Sequence, residues 1–178
     1  MTSIDLDLFV LAMVQSGLGT TYDLKSKAGL SVGSTSPILA RLEQAGLLEA
    51  PKAERGRGVR RFSITKEGKK HLSAGWEQLL QRRPTDIDEI LRITYIVWTM
   101  GSADTASRFI ETAAAGLQDL AVTRRAEANQ LLRGLTGPVG GQAFRWLRTG
   151  ADAARIEAQA GALKQLSREI KMRKSKGK

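Results

Sequence analysis

No cysteine occurs among the 178 residues of this chain. That excludes a disulfide and a thiolate metal site, and it suits a reducing compartment. Histidine occurs once, as His71 within Lys69-Lys70-His71-Leu72, the setting of an exposed helix face. With no histidine or cysteine cluster there is no ligand set for zinc. Long apolar runs are also missing. The stretch from Ile4 to Val14 carries Asp5 and Asp7, and is too short and too acidic for a membrane span or a signal peptide. A soluble, cytoplasmic protein with no membrane partner is expected. Gly137-Pro138-Val139-Gly140-Gly141 lacks the Lys-Ser/Thr that would follow a phosphate loop. Asp86, Asp88 and Glu89 read as first-turn dipole partners of a helix. No catalytic constellation emerges, so neither an enzyme nor a cofactor is expected.

What is present in excess is positive charge, and it is unevenly placed. Residues 1–46 hold 3 basic and 4 acidic side chains, and residues 73–163 hold 10 of each. Residues 47–72 hold 8 basic against 3 acidic, and residues 164–178 hold 7 against 1. The whole net charge of +10 therefore lies in two short regions. The plain reading of such charge is a solvated surface. Concentration on one hairpin points instead to a polyanion.

That hairpin is Arg55-Gly56-Arg57-Gly58-Val59-Arg60-Arg61-Phe62-Ser63-Ile64-Thr65. Arg55, Arg57, Arg60 and Arg61 can each offer a forked pair of donors to phosphate oxygens. Two-residue alternation puts Phe62 and Ile64 on one face, with Arg61 and Ser63 on the other. Leu47-Leu48 opens the first strand, and Val59 to Ile64 forms the second.

Before the hairpin the pattern predicts three helices. The first runs from about Leu6 to Gln15. Thr20 or Thr21 caps the second, Tyr22 to about Ala28, with Asp23 in its first turn. Ser31 caps the third, about Val32 to Ala45, whose Ile38, Leu39, Leu42 and Ala45 face the core. After the hairpin Thr65 caps a fourth helix, from Lys66 to about Arg82. This order is a winged helix-turn-helix, whose usual partner is double-stranded DNA. The third helix is then the recognition helix. Ser34, Thr35 and Ser36 form its polar leading end, and Arg41 lies farther along. Small hydroxyls there suit close approach to a groove, and they equally suit N-terminal capping. Thr21, Tyr22 and Lys66, at the starts of the second and fourth helices, complete the candidate DNA contacts.

The stretch from Leu6 to Leu72 resembles the PadR family of winged-helix transcriptional regulators. Gly19-Thr20-Thr21-Tyr22-Asp23-Leu24 is similar to that family's Gly-Tyr-Glu-Leu element. Ser31-Val32-Gly33-Ser34-Thr35-Ser36-Pro37-Ile38-Leu39 resembles its Ser-Pro-Gly-Thr-Leu-Tyr-Pro-Ala-Leu helix start. Arg41-Leu42-Glu43-Gln44-Ala45-Gly46-Leu47-Leu48 resembles its Arg-Leu-Glu-Glu-Glu-Gly-Leu-Val helix end. The wing with Thr65-Lys66-Glu67-Gly68 resembles its Arg-Arg-Tyr-Tyr-Arg-Leu-Thr-Glu-Glu-Gly run. MarR-like winged helices share the helix-Gly-Leu-strand and wing pattern. The family's Leu-Tyr pair is Thr35-Ser36 here and its wing aromatic pair is Phe62-Ser63, so only a general DNA role is implied.

From Pro84 onward the pattern is helical. Thr85 with Asp88 reads as a capping pair for a helix from about Asp86 to Met100, apolar nearly all round and so buried. Ser102 caps the next helix, Ala103 to Arg133, with a stripe of Ala106, Phe109, Ile110, Ala113, Leu117, Leu120 and Leu131. The last runs from about Gln142 to Met172. Its Leu147, Ala151, Ala154, Ala158 and Gly161 form a seam of small residues suited to close packing, and Ile156, Leu163, Leu166 and Ile170 form an apolar stripe. Two or three long helices make a poor closed core alone, which favours a homodimer over an internal bundle. The resemblance implies a C-terminal dimerisation domain as well. It also implies response to a small aromatic effector, for which Tyr95, Trp98 and Trp146 are candidates. The plainer reading of those aromatics is core or interface.

The expected fold is mainly α with a small β-wing: a winged helix-turn-helix over residues 1–83, a helical dimerisation domain over 84–172 and a basic disordered tail over 173–178. The expected function is that of a homodimeric, sequence-specific DNA-binding transcriptional regulator, a repressor. The alternatives are a nonspecific architectural DNA-binding protein and a winged-helix protein-interaction adaptor.

Overall fold

The computed structural model describes residues 4–51, 60–135 and 141–176. In chain order the elements are α1 (Ile4–Gln15), α2 (Thr21–Ala28), α3 (Val32–Gln44), β1 (Leu48–Glu49), β2 (Ser63–Ile64), α4 (Lys66–Leu79), α5 (Ile87–Met100), α6 (Ala103–Arg133) and α7 (Gly141–Lys176). The strands pair antiparallel, Leu48 with Ile64 and Glu49 with Ser63. This is the winged helix-turn-helix order followed by three helices, a mainly α fold with a small β-wing. Residues 52–59, with Arg55 and Arg57, lie outside the described residues. The chain divides into two compact units: residues 1–82 with 95–102, and residues 83–94 with 103–178. The second half of α5, from Tyr95, groups with the first unit.

In the first unit α1 is the central helix. Every residue from Leu8 to Val14 is buried, so this helix has no solvent face at its centre. Leu24, Ile38, Leu39, Leu42, Leu48, Phe62, Leu72 and Leu79 complete this core. Local chemistry fixes each helix start. Thr20 and Asp23 form a reciprocal capping box on α2, with Asp23 N–H donating to Thr20 Oγ1 at 2.9 Å. Ser31 caps α3 through Ser34 N–H, and Thr65 caps α4 through Gly68 N–H. Thr65 Oγ1 also donates to the Gly46 carbonyl at 2.7 Å, tying the cap to the end of α3.

Two glycines are required by close backbone approach. A Cβ on Gly19 would lie 2.2 Å from the Phe62 carbonyl oxygen, where the Phe62 amide donates to the Gly19 carbonyl at 2.7 Å. A Cβ on Gly68 would lie 2.1 Å from the Leu47 carbonyl oxygen. These contacts seat the wing base against the α1–α2 turn, and α4 against the start of β1.

In the second unit α6 and α7 form an antiparallel pair. Ser107 meets Ser167 at one end, and Arg125 pairs with Glu157 farther along. Ala106, Ile110, Ala113, Ala114, Leu117, Ala121 and Ala128 of α6 are buried, as are Ala153, Ile156, Ala160, Leu163, Ser167 and Ile170 of α7. Steps of 3 and 4 on both helices are the coiled-coil pattern. The structure departs from expectation at four points. The small seam Leu147, Ala151, Ala154, Ala158 and Gly161 faces solvent, because α6 packs on the opposite side of α7. α5 is not buried all round, since Leu91 is 41% and Trp98 40% exposed. Its cap is Asp86, which accepts from the Glu89 amide at 2.9 Å. The last helix also runs through Lys176, beyond the expected end near Met172.

Candidate nucleic-acid interface

The leading end of α3 separates into hydroxyls with different fates. Ser34 is exposed, but its hydroxyl lies 2.8 Å from that of Ser31 and donates to the Ser31 carbonyl at 3.0 Å. Thr35 is 0% exposed, and its Oγ1 donates to the same carbonyl at 2.7 Å. The expectation of three exposed hydroxyls therefore fails at Thr35, whose side chain points into the protein. Ser36 is exposed. Pro37 sits in the second turn without interrupting the helix. Its missing amide would have bonded the Gly33 carbonyl, which as an exposed position can meet water.

The wing base is held to α3 and to the α1–α2 turn. Arg60 donates to Glu43 of α3 at 2.5 Å, and its guanidinium lies 4.9 Å from the centroid of the Phe62 ring. Arg61 donates to the Gly17 carbonyl at 3.2 Å. Phe62 is buried while Arg61 and Ser63 are exposed, the alternation expected of the second strand. Arg60 and Arg61 therefore stay at the surface while their neighbour anchors the strand. Lys66 is exposed at the first turn of α4.

Arg41 is engaged differently. Its guanidinium pairs with Asp7 of α1, and its side chain is only 38% exposed. That pairing braces α3 against α1. Asp5, fully buried, pairs with Arg82 at 3.4 Å and braces the segment that follows α4 in the same way. Nothing in the local sequence signals the Asp7 and Glu43 contacts, because their partners lie 34 and 17 residues away.

At the start of α2, Thr21 is half-buried and Tyr22 is 73% exposed. Beside them the Thr20 hydroxyl holds the Asp23 carboxyl below its usual range. Burial opposes that shift, while the Thr20 amide and the charges of Lys27 and Arg61 add to it. The charge of Arg61 thus reaches the first turn of α2.

The three candidate effector residues do not come together in one unit. Tyr95 and Trp98 belong to the first and Trp146 to the second. Tyr95 packs edge-on against Phe9 at 5.5 Å, and its hydroxyl donates to Ser16 Oγ at 3.0 Å. The second unit has a cleft of about 330 Å³ lined by Thr85, Ile87, Arg124, Asp152 and Arg155, and another of about 490 Å³ lined by Arg124, Gln130, Arg145 and Thr149. Neither is lined by the three aromatics. Among the described residues no group of three or more His, Cys, Asp or Glu is placed to hold a metal, and no helix is long and apolar enough to cross a membrane.

No protein-family model matches the chain, and no curated protein does. Among solved structures it is similar to Bacillus subtilis PadR in complex with operator DNA. The identity is 17% and the TM-score 0.41, over 93% of this chain and 98% of that one. A likeness so slight transfers nothing from that protein to this one.

Proposed function

We propose that the chain is a sequence-specific DNA-binding transcriptional regulator that works in the cytoplasm as a homodimer and represses by occupying its site. Residues 1–83 meet DNA, and residues 84–172 hold the dimer. α3 lies in the major groove with Ser34 and Ser36 toward base edges. Arg55, Arg57, Arg60 and Arg61 follow the phosphates, with Thr21, Tyr22 and Lys66 at the flanks. Arg41, held by Asp7, braces α3 in this reading, and Thr35 belongs to its cap. Tyr95 is committed to Phe9 and Ser16 and is assigned to packing, so no effector is included.

One observation carries the reading. The Arg60–Glu43 pair ties the base of an arginine-rich wing to α3, so both elements lie on one surface. The net charge of residues 47–72 supports a polyanionic partner at that surface. Selection of bound sequences from a random duplex pool tests the proposal. A homodimer should enrich a two-fold symmetric sequence with half-sites about one helical turn apart, or a multiple of it. Salt-sensitive binding without enrichment would make the protein architectural. Absence of binding at low salt would make the winged helix a docking adaptor. Either result overturns the proposal.

A further inference from the structure

α4 carries its positive charge at the wrong end. The N-terminus of a helix is the positive end of its dipole, so acidic side chains suit the first turn and basic ones the last. α2 and α6 follow this rule, with Asp23 and Asp104 in their first turns and Lys25, Lys27 and Arg133 in their last. α4 reverses it. Lys66, Lys69 and Lys70 lie within its first five residues, and its last turn holds no basic residue. All three lysines are exposed. Gly68, Leu72 and Leu79 mark the buried face of the helix. At 3.6 residues per turn Lys66 and Lys70 stand on the opposite side, with Lys69 next to them. Lysines three and four positions apart on one helix repel each other. Glu67 is the acidic residue of the first turn. Among the described residues, however, none of the three lysines takes part in an ion pair. The amide end of the helix is already satisfied, since the Gly68 amide donates to Thr65 Oγ1 at 2.9 Å. The unusual feature is therefore the lysine side chains, whose repulsion no ion pair among the described residues offsets.

We propose that Lys66, Lys69 and Lys70 form a ridge that binds duplex phosphates outside the groove entered by α3. The inference rests on the DNA-binding reading above, and adds Lys69 and Lys70 to its contacts. The start of α4 is fixed beside the wing base: the Thr65 amide donates to the Leu47 carbonyl at 3.1 Å, and its hydroxyl to the Gly46 carbonyl at 2.7 Å. Lys66 follows Arg61 by five residues, at most about 18 Å of extended chain. Lys70 lies about 6 Å farther along the helix. Both reaches fall within one turn of duplex, about 34 Å, so the ridge and the wing base can meet the backbone of one DNA molecule. A duplex strand offers one charge per about 3.4 Å of its axis, a spacing close enough for three lysines on one short stretch of helix to act together. Lysine is a point charge on a flexible stem and lacks the planar fork of arginine. Contacts of that kind add affinity that does not depend on base sequence.

The test uses the full chain and a random-sequence duplex of about three helical turns. Each phosphate contact contributes about 0.9 to the slope of log affinity against log salt. Lys69→Gln combined with Lys70→Gln should therefore lower that slope by about two units. Over about a fourfold rise in salt, the wild type should lose roughly tenfold more affinity than this variant. Lys69→Arg combined with Lys70→Arg keeps the charge and should keep the wild-type slope. Without DNA the glutamine variant should melt no lower than the wild type, because it removes like charge from the positive end of α4. An unchanged slope in the glutamine variant overturns the ridge, and a lowered melting temperature beside it assigns the lysines to folding instead. If the slope falls as stated but the wild type shows no sequence preference, the regulator reading fails and the ridge stands. If the wild type binds no duplex at low salt, both fail.

Discussion

The winged unit and the α6–α7 pair bury apolar surface by different means, and that decides how uniquely each specifies its neighbours. In the winged unit short elements are pinned at their ends. Thr20, Ser31 and Thr65 cap successive helices, Gly19 and Gly68 admit backbone within van der Waals reach, and Arg60 and Arg41 tie the wing base and α1 to α3. Each device works at one place in the fold only. In the α6–α7 pair long rows repeat with the same period, so many registers and two faces of α7 satisfy the pattern. The buried Ser107–Ser167 layer, with each hydroxyl donating to the other's carbonyl at 3.3–3.4 Å, is the kind of polar contact that fixes one register.

The largest expected effect tests the pinned side of that contrast. Gly68→Ala drives a Cβ into main chain at Leu47, which cannot swing aside as a side chain would. It should cost more than the about 1–3 kcal/mol of ordinary overpacking. Thermal melting should lose the winged unit's transition while the signal of the long helices persists. A wild-type melting curve would show that the close approach is not required. On the repetitive side, Leu163→Ala opens a cavity between α6 and α7 and should cost about 2–5 kcal/mol by denaturant titration. A neutral effect would mean that α7 slides to refill the gap.

How much of each unit can be read in the sequence follows from the same contrast. The bounds of α6 are as the pattern predicts, Ala103 to Arg133, because Ser102 precedes it and Gly134 follows. The capping threonines and serines were legible for the same reason: a cap and its target amide lie three residues apart. The buried face of α7 was legible in part: Ile156, Leu163 and Ile170 of the expected stripe are buried, but the small seam has the same spacing and only α6 chooses between the two rows. The burial of Thr35 is not legible in the sequence, because it depends on where Ser31 turns the chain. The Asp7 and Glu43 partners are long-range contacts that no local pattern carries.

Smaller effects separate recognition from folding within the winged unit. Ser34→Ala or Ser36→Ala, where the residue reads a base, should cost about 1–3 kcal/mol at the selected site and much less on random duplex. Ser34 shares the cap with Ser31, so melting must be measured beside affinity. If both variants lose stability and keep their specificity ratio, the residues are caps and recognition lies elsewhere. Arg60→Ala and Arg61→Ala should weaken binding to all sequences alike, each lowering the salt slope by about one unit. A changed sequence preference at an unchanged slope would make them base readers.

The smallest effect is a matter of pH. The Asp23 carboxyl is held below its usual range in the folded chain, chiefly by the Thr20 hydroxyl. Its contribution is present above the unfolded value and is lost as pH falls through the folded one. Acid titration of wild type against Asp23→Asn should show the difference in stability shrinking below the ordinary carboxylate range. A constant difference across that range would remove Asp23 from the cap.

The central claim is that the surface built from α3 and the wing base distinguishes one duplex sequence from another. Affinity for the selected duplex and for random duplex at one fixed salt concentration tests it most directly. The account predicts a ratio of about 10³ or more. Equal affinity for the two would contradict it.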